Sequence, residues 1–203
     1  MSRGKKVELQ VLDHIDNTGI LAFYVNGVKQ TLHIAKTLYT GSNNEKADII
    51  VNTVADGEVG ISLKAKGQGI GKSSVMNHQN RRNLANNILP VLYGKDLQDL
   101  VLAKLDKFFA DGVNRKVLEV FSAEEILPLI SWYCFEGAGK GKSYQPADVM
   151  IMVKDVNGVN TAFTRENIEK LLPYLEMERN ATRYKTDLEG NWGHTLQIRI
   201  NFS

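Results

Sequence analysis

The sequence predicts an α+β fold, with a twisted, mostly antiparallel or mixed central sheet flanked by helices. Three observations carry this. Asn26-Gly27 and Asp56-Gly57 each separate two runs rich in β-branched and aliphatic residues, the pattern of a hairpin. Helix-period apolar patterns lie at the N-terminus and through the middle of the chain. The C-terminal Leu196, Ile198, Ile200 and Phe202 alternate with Gln197, Arg199 and Asn201, as in a half-buried strand.

In chain order, residues 5–15 read as a short helix. Ile20–Val25 and Val28–Ile34 are the arms of the first hairpin, and residues 48–64 contain the second, giving a four-stranded antiparallel run. Gly67-Gln-Gly-Ile-Gly71 is a loop. Helical patterns follow from about Ser74 to Ile88 and, after Pro90, from Lys95 to Phe109. Ser122-Ala-Glu-Glu125 is a capping box for a helix through Phe135. Gly137 to Ser143 is a second glycine-rich loop. Strands are expected at 148–154 and 159–163 around Asn157-Gly158. A helix capped by Thr164 then reaches about Met177 past Pro173, and two strands, Thr182–Leu188 and His194–Phe202, end the chain.

The 203 residues suit one domain, and 43% hydrophobic content is enough for a core. Cys134 is the one cysteine, in an apolar run, which excludes a disulfide framework and argues against structural zinc. The four histidines, His14, His33, His78 and His194, show no ligand spacing. No apolar run approaches the ~18 residues needed to span a bilayer, and no secretory signal is visible, so a cytoplasmic protein without a membrane partner is expected. Neither glycine-rich loop is a Walker A loop: the required first glycine falls on Lys66 in one case and on Glu136 in the other.

The second hairpin carries the chemistry. Ile49, Val51, Val59, Ile61 and Leu63 are apolar, while the even positions include Asp48, Asn52, Ser62 and Lys64. Side chains alternate faces along a strand. For both apolar sets to face one core, odd positions must pair with odd, which a three-residue loop, Asp56-Gly57-Glu58, allows. Asp48 then lies near Lys64 and Lys66 on the polar face. A carboxylate can hold Mg²⁺ through oxygen, and a neighbouring lysine can act on water or on a developing negative charge.

In this the chain resembles the PD-(D/E)xK nuclease superfamily, which includes many type II restriction endonucleases. There an acid begins one strand and an acid-x-Lys triplet lies on the next. The resemblance covers roughly residues 1–90. It aligns Asp48 with the first acid, Lys64 with the lysine and Ser62 with the second acid, and Ala47 stands for the usual proline. It implies a restriction-endonuclease-like fold over residues 1–203, with a catalytic core at 1–90, a helical segment at 91–135 and a β-rich C-terminal lobe at 136–203. It also implies a metal-dependent DNA endonuclease using Mg²⁺ or Mn²⁺. Asp48, Ser62 and Lys64 would be catalytic, Asp48 would hold the metal, and Glu8 of the first helix would be the second ligand in place of the acid missing at Ser62. Glu58 is a weaker substitute. A homodimer would cut both strands.

Charge distribution points to the same partner. From Val59 to Lys95 there is no Asp or Glu, while Lys64, Lys66, Lys72, Arg81, Arg82 and Lys95 are cationic, although the whole chain is only +2. Such a block suits a polyanion. Lys66, Lys72, Gln79, Arg81 and Arg82 are the expected nucleic-acid contacts, with His78 and Arg82 on one helical face. Arg183, Tyr184, Lys185, Trp192, His194 and Arg199 form a second basic and aromatic group. Asp148 before Lys154 is a rival acid and lysine, but the two sit at opposite ends of one strand, roughly 20 Å apart at ~3.3 Å per residue. The alternative is a non-catalytic nucleic-acid-binding or assembly protein with a decayed nuclease site, for which the serine at position 62 is the chief argument.

Overall fold

Val7, Val11 and Ile15 recur every fourth residue, so the first helix, α1 (Arg3–Thr18), presents an apolar stripe. It opens a computed structural model that describes residues 3–40, 46–65, 73–138, 141–143, 145–154, 160–181 and 192–201. Strands β1 (Ile20–Val25), β2 (Val28–Thr40), β3 (Ile49–Thr53), β4 (Gly57–Ala65) and β5 (Ser73–Gln79) follow. A helical stretch then runs from Arg81 to Leu92, with a π turn over Leu84–Ile88, and leads to α2 (Lys95–Asp111). Strand β6 (Arg115–Lys116), a single turn at Val117–Val120 and α3 (Ala123–Phe135) come next. The remaining strands are β7 (Gly137–Ala138), β8 (Gly141–Lys142), β9 (Val149–Val153), β10 (Thr161–Phe163), β11 (Leu175–Ala181) and β12 (His194–Ile200).

The fold is α+β, and its main sheet is closed rather than open: β1-β10-β9-β4-β3-β2 form a six-stranded barrel. Both expected hairpins are present. Asn26 takes φ 54 in a two-residue turn that pairs Val25 with Val28. The pairs Ile49↔Ile61, Val51↔Val59 and Thr53↔Gly57 match odd with odd, with Gly57 at φ 74, but the expected loop Asp56-Gly57-Glu58 is corrected to Val54-Ala55-Asp56. Thr53 Oγ1 accepts the Asp56 N–H at 2.9 Å and donates to the Gly57 carbonyl at 3.1 Å, which closes the turn early and sets Asp48 level with Ser62 rather than with residue 66. Closure comes from further along the chain. β9 lies parallel to β4 (Ile61↔Val149), β10 returns antiparallel to β9, and β10 meets β1 in parallel at Tyr24↔Thr161. Two irregularities in the long β2, between Ile34 and Lys36 and between Thr37 and Tyr39, bend it as bulges do.

The chain divides into two compact units that interleave in sequence. The first holds Met1–Ser73, Cys134–Ala138 and Lys142–Asn167; the second holds Ser74–Tyr133, Gly139–Gly141 and Ile168–Ser203. The first unit's core joins Val11 and Ile15 of α1 to Leu21, Phe23, Ile49, Val51, Ile61, Leu63 and Ile151 of the strands. Every core residue from β3, β4 and β9 is odd-numbered. The even face is not simply solvated, for Ile50, Ser62, Met150 and Met152 are buried as well.

The second unit contains a four-stranded sheet, β5-β12-β11-β6. Here two expected helices are corrected. Residues 73–79 are strand, and the helix starts only where Asn80 Oδ1 accepts the Asn83 N–H at 2.7 Å. His78 and Asn77 therefore share no helical face with Arg82 and Arg81. The sheet decides this: β5 lies beside β12, and His78 Nδ1 is 3.1 Å from Thr195 Oγ1. The helix expected from Thr164 to Met177 is a 3-10 stretch, Ile168–Tyr174, followed by β11, because Leu175 and Met177 pair with Ile200 and Ile198 of β12. The strand expected at Thr182–Leu188 lies outside the described residues. The capping box at Ser122 forms: the Ser122 N–H donates to Glu125 at 2.8 Å and the Glu125 N–H to Ser122 Oγ at 3.3 Å.

A polar cluster in this unit sets an acid limit on stability. Arg81 grips Asp106 through Nε (2.7 Å) and Nη2 (2.8 Å), and the Trp192 indole N–H donates to the same carboxylate at 2.7 Å. The Trp192 ring stacks on Phe109 at 3.9 Å. Arg81, and less so Trp192, hold the Asp106 carboxyl below its usual range, against the opposing pull of burial. A lowered folded-state value favours the fold above the unfolded carboxylate value of about 3.9, and that benefit is lost as pH falls through the folded value. Asp106→Asn is therefore expected to flatten the acid side of a Tm-against-pH curve. An unchanged slope below about pH 4 would refute this role.

Candidate functional site

Asp48 begins the β3 side of the strand pair, and the observed register sets it level with Ser62. Ser62 Oγ donates to Asp48 Oδ2 at 3.3 Å, and the Leu63 N–H donates to the same oxygen at 2.6 Å. The Asp48 N–H donates to the Ile61 carbonyl at 2.8 Å. The carboxylate thus replaces a rung of the ladder where the two strands part. Ser62 is fully buried, Asp48 and Lys64 are half-buried, and Lys64 follows two residues after Ser62 on the same face. The expected acid and serine are therefore in contact, and the expected lysine lies on the same face without an ion pair to Asp48 among the described residues.

A second lysine, to which the sequence pattern assigns no role, belongs to the same place. Lys46 is 8% exposed. Its backbone N–H donates to the Ser143 hydroxyl at 2.9 Å, and the Ala47 N–H donates to the Gln145 carbonyl at 2.9 Å. Burial above all, then the charge of Lys64, pushes the Lys46 ammonium down to about 7, while Cys134 and Asp48 pull the other way. Burial pushes the Cys134 thiol up to about 11, with both lysines opposing, so it stays protonated at neutral pH. The available signal was alternation: Lys46, two residues before Asp48, falls in phase with it.

The other expected ligands are elsewhere. Glu8 pairs with Lys5 at 3.1 Å, on a helix whose Val11 and Ile15 pack with the odd-numbered strand residues, whereas Asp48 belongs to the even face. Glu58 is exposed and pairs in register with Asn52, away from Asp48. Asp148 is level with Gly60 and accepts its N–H at 2.8 Å, with Arg165 at 4.0 Å. It ties β9 to β4 much as Asp48 ties β3 to β4.

Of the expected nucleic-acid contacts, Lys66 and Lys72 lie outside the described residues. Gln79 is buried, and its Oε1 accepts from Asn83 Nδ2 at 2.6 Å. Arg81 is committed to Asp106. Arg82 is exposed. These three belong to the second unit, while Asp48, Ser62 and Lys64 belong to the first. In the second basic group, Trp192 and Arg199 serve Asp106 and Glu178, and residues 183–185 lie outside the described residues.

No protein-family model matches the chain, and no curated protein sequence does. Among the described residues no helix is long and apolar enough to cross a membrane, and no three His, Cys, Asp or Glu side chains gather around one point. The donor set at Asp48 is therefore a single carboxylate, with both of its hydrogen bonds on Oδ2, beside a hydroxyl and two ammoniums. Such a set does not cage a divalent ion. It does fit Mg²⁺ in its usual manner, held through one or two carboxylates together with waters and substrate phosphates.

Proposed function

We propose that this chain is a Mg²⁺- or Mn²⁺-dependent endonuclease acting on DNA, restriction-type in its site and fold, working in the cytoplasm. The observation that carries the reading is the Asp48–Ser62 contact at the odd-to-odd register, with Lys64 on the same face of the next strand. In the PD-(D/E)xK arrangement the acid begins one strand and the lysine lies on the next, which is the layout here. Asp48 would hold the metal through Oδ1, its other oxygen being fixed by Leu63 and Ser62. The metal, when bound, would offset charge on the phosphate and supply hydroxide near neutral pH. Lys64 orients water or stabilises the charge that develops on the phosphate oxygens. Ser62 holds the carboxylate in place, and a dimer would bring two such sites to a duplex.

One observation favours a second reading, a nucleic-acid-binding protein that does not cut. Ser62, where the family carries its second acid, is buried with its hydroxyl turned to Asp48, and Glu8 does not join it.

Incubation of the chain with supercoiled plasmid and with single-stranded DNA, in Mg²⁺, Mn²⁺ or EDTA, separates the two. Nicking in either metal and none in EDTA is the expected result. Tight binding without cleavage in any metal would establish the second reading instead, and neither binding nor cleavage would overturn both.

A further inference from the structure

Lys46 is the least expected group in the first unit. Ammonium ions are strongly hydrated, and moving one out of water beside a second cation is unfavourable on both counts. Lys46 nevertheless sits 8% exposed at the end of the strand pair that carries Lys64. Among the described residues neither ammonium makes a hydrogen bond or an ion pair. The carboxylate acting on Lys46 is that of Asp48. Asp48 gives one carboxylate for two cations, and Cys134 is buried and protonated. Nor is Lys46 a solvated side chain that has folded back by chance. The segment that carries it is pinned by Ser143 Oγ on its own N–H and by the Gln145 carbonyl on the N–H of Ala47. A group with several acceptor oxygens would give both unpartnered side chains a hydrogen-bond partner and, being anionic, would favour the ammonium form of Lys46 against its burial; a phosphodiester has that chemistry.

We propose that Lys46 and Lys64 together seat one phosphate of the nucleic-acid backbone, so that a second cation stands in this site where the family carries a second acid. The inference rests on the nuclease reading for the identity of the polyanion, and it deepens that reading by naming the group that grips it. Lys64 reaches the phosphate from the half-buried side, and Lys46 from the buried side. Asp48 shares the even face with both lysines, so a phosphate held by both would stand on the same face as the carboxylate that would hold the metal.

The test is binding of a short fluorescein-labelled DNA duplex, followed by anisotropy in EDTA over a series of salt concentrations. The chains compared are wild type, Lys46→Met, Lys46→Arg and Lys64→Met, with Tm measured for each. Methionine keeps the length of the stem and removes the charge. Lys46→Met is expected to bind about tenfold more weakly. It should also lower the slope of log K against log salt by about 0.9, the value for one phosphate contact. Its Tm should be equal or higher, since a buried charge has been removed. Lys64→Met should show the same loss of slope, and Lys46→Arg should keep the slope. Wild-type affinity and slope in Lys46→Met, in a protein whose wild type binds and cleaves DNA, would overturn the inference and leave the nuclease reading standing. Lost affinity with an unchanged slope and a lowered Tm would assign Lys46 to the fold and overturn it also. No binding or cleavage by the wild type would overturn both together.

Discussion

Lys64→Ala is expected to lose about a hundredfold or more of metal-dependent cleavage while leaving Tm nearly unchanged, because a positioned proton-transfer or charge-stabilising group contributes about 10²–10⁴ in rate. Lys64 is half-buried and holds no hydrogen-bond or ion-pair partner among the described residues, so its removal strands nothing. Substitutions of that kind change stability by only about 0.5 kcal/mol. Asp48 behaves differently, since it is both chemical and structural. Asp48→Asn keeps an oxygen for the Leu63 N–H and the Ser62 hydroxyl but loses the charge that a metal needs. Asp48→Ala also strands those donors, at a cost of about 1–3 kcal/mol. Cleavage should therefore vanish in both, and only the alanine variant should melt early. A Lys64→Ala chain that cuts at the wild-type rate would remove Lys64 from the chemistry, and equal Tm values for the two Asp48 variants would remove Asp48 from the fold.

Gly60→Ala is expected to be the most damaging single-methyl change in the first unit. A Cβ there would run into the Pro146 carbonyl oxygen and lie 3.3 Å from Ala147 Cα. Both obstacles are backbone, and that backbone cannot move aside. The Asp148 N–H donates to the Gly60 carbonyl at 2.7 Å, and the Gly60 N–H donates to Asp148 Oδ2 at 2.8 Å. The lead into β9 is thus locked to β4 from both directions. Overpacking a well-filled core costs about 1–3 kcal/mol and sometimes more. For a chain of this length, each kcal/mol lowers Tm by about 2–4 °C, so thermal unfolding should fall by roughly 2–12 °C. Gly94→Ala is the control, since nothing lies within 4 Å of a Cβ there and its φ is −64, which alanine adopts without strain. A Gly60→Ala chain that melts with the wild type would mean that the β4–β9 register is not the one described.

What could be read from the sequence follows the distance over which each signal acts. Asn26-Gly27 and the Ser122–Glu125 box are local, and the structure has both as expected, while at Asp56-Gly57 it has the hairpin but with the loop at 54–56. The odd-to-odd parity of β3 on β4 was legible too, because a slip of one residue would have turned Ile49, Val51, Ile61 and Leu63 away from the core, but the register itself was not, since parity allows steps of two and the turn closes at 54–56 instead of 56–58. Residues 73–79 and 175–181 were misread because their strand character comes from β12, more than a hundred residues from the first of them. Barrel closure was hidden for the same reason, since β4 and β9 are almost ninety residues apart. Within the site, alternation joined Asp48, Ser62 and Lys64, whereas the burial of Lys46 depends on Ser143 and on the segment at Cys134. Gln79 and Arg81 looked like ligands for a polyanion because Asn83 and Asp106 could not be recognised as their partners from composition.

The order of the barrel has a consequence for synthesis. A chain emerging from the ribosome delivers α1 and β1 to β4 first, yet the two outer strands of that run, β1 and β4, find their parallel neighbours only in residues 149–163. Until those residues emerge, two rows of backbone donors and acceptors stand open beside an apolar sheet, a surface prone to pairing with another nascent chain. Rings closed by distant segments also assemble slowly, because the loop must be drawn in before its contacts repay the lost entropy. Residues 149–163 therefore cover the edges that the earlier strands leave open, and the surroundings of Asp48 and the two lysines are complete only once that segment has been made.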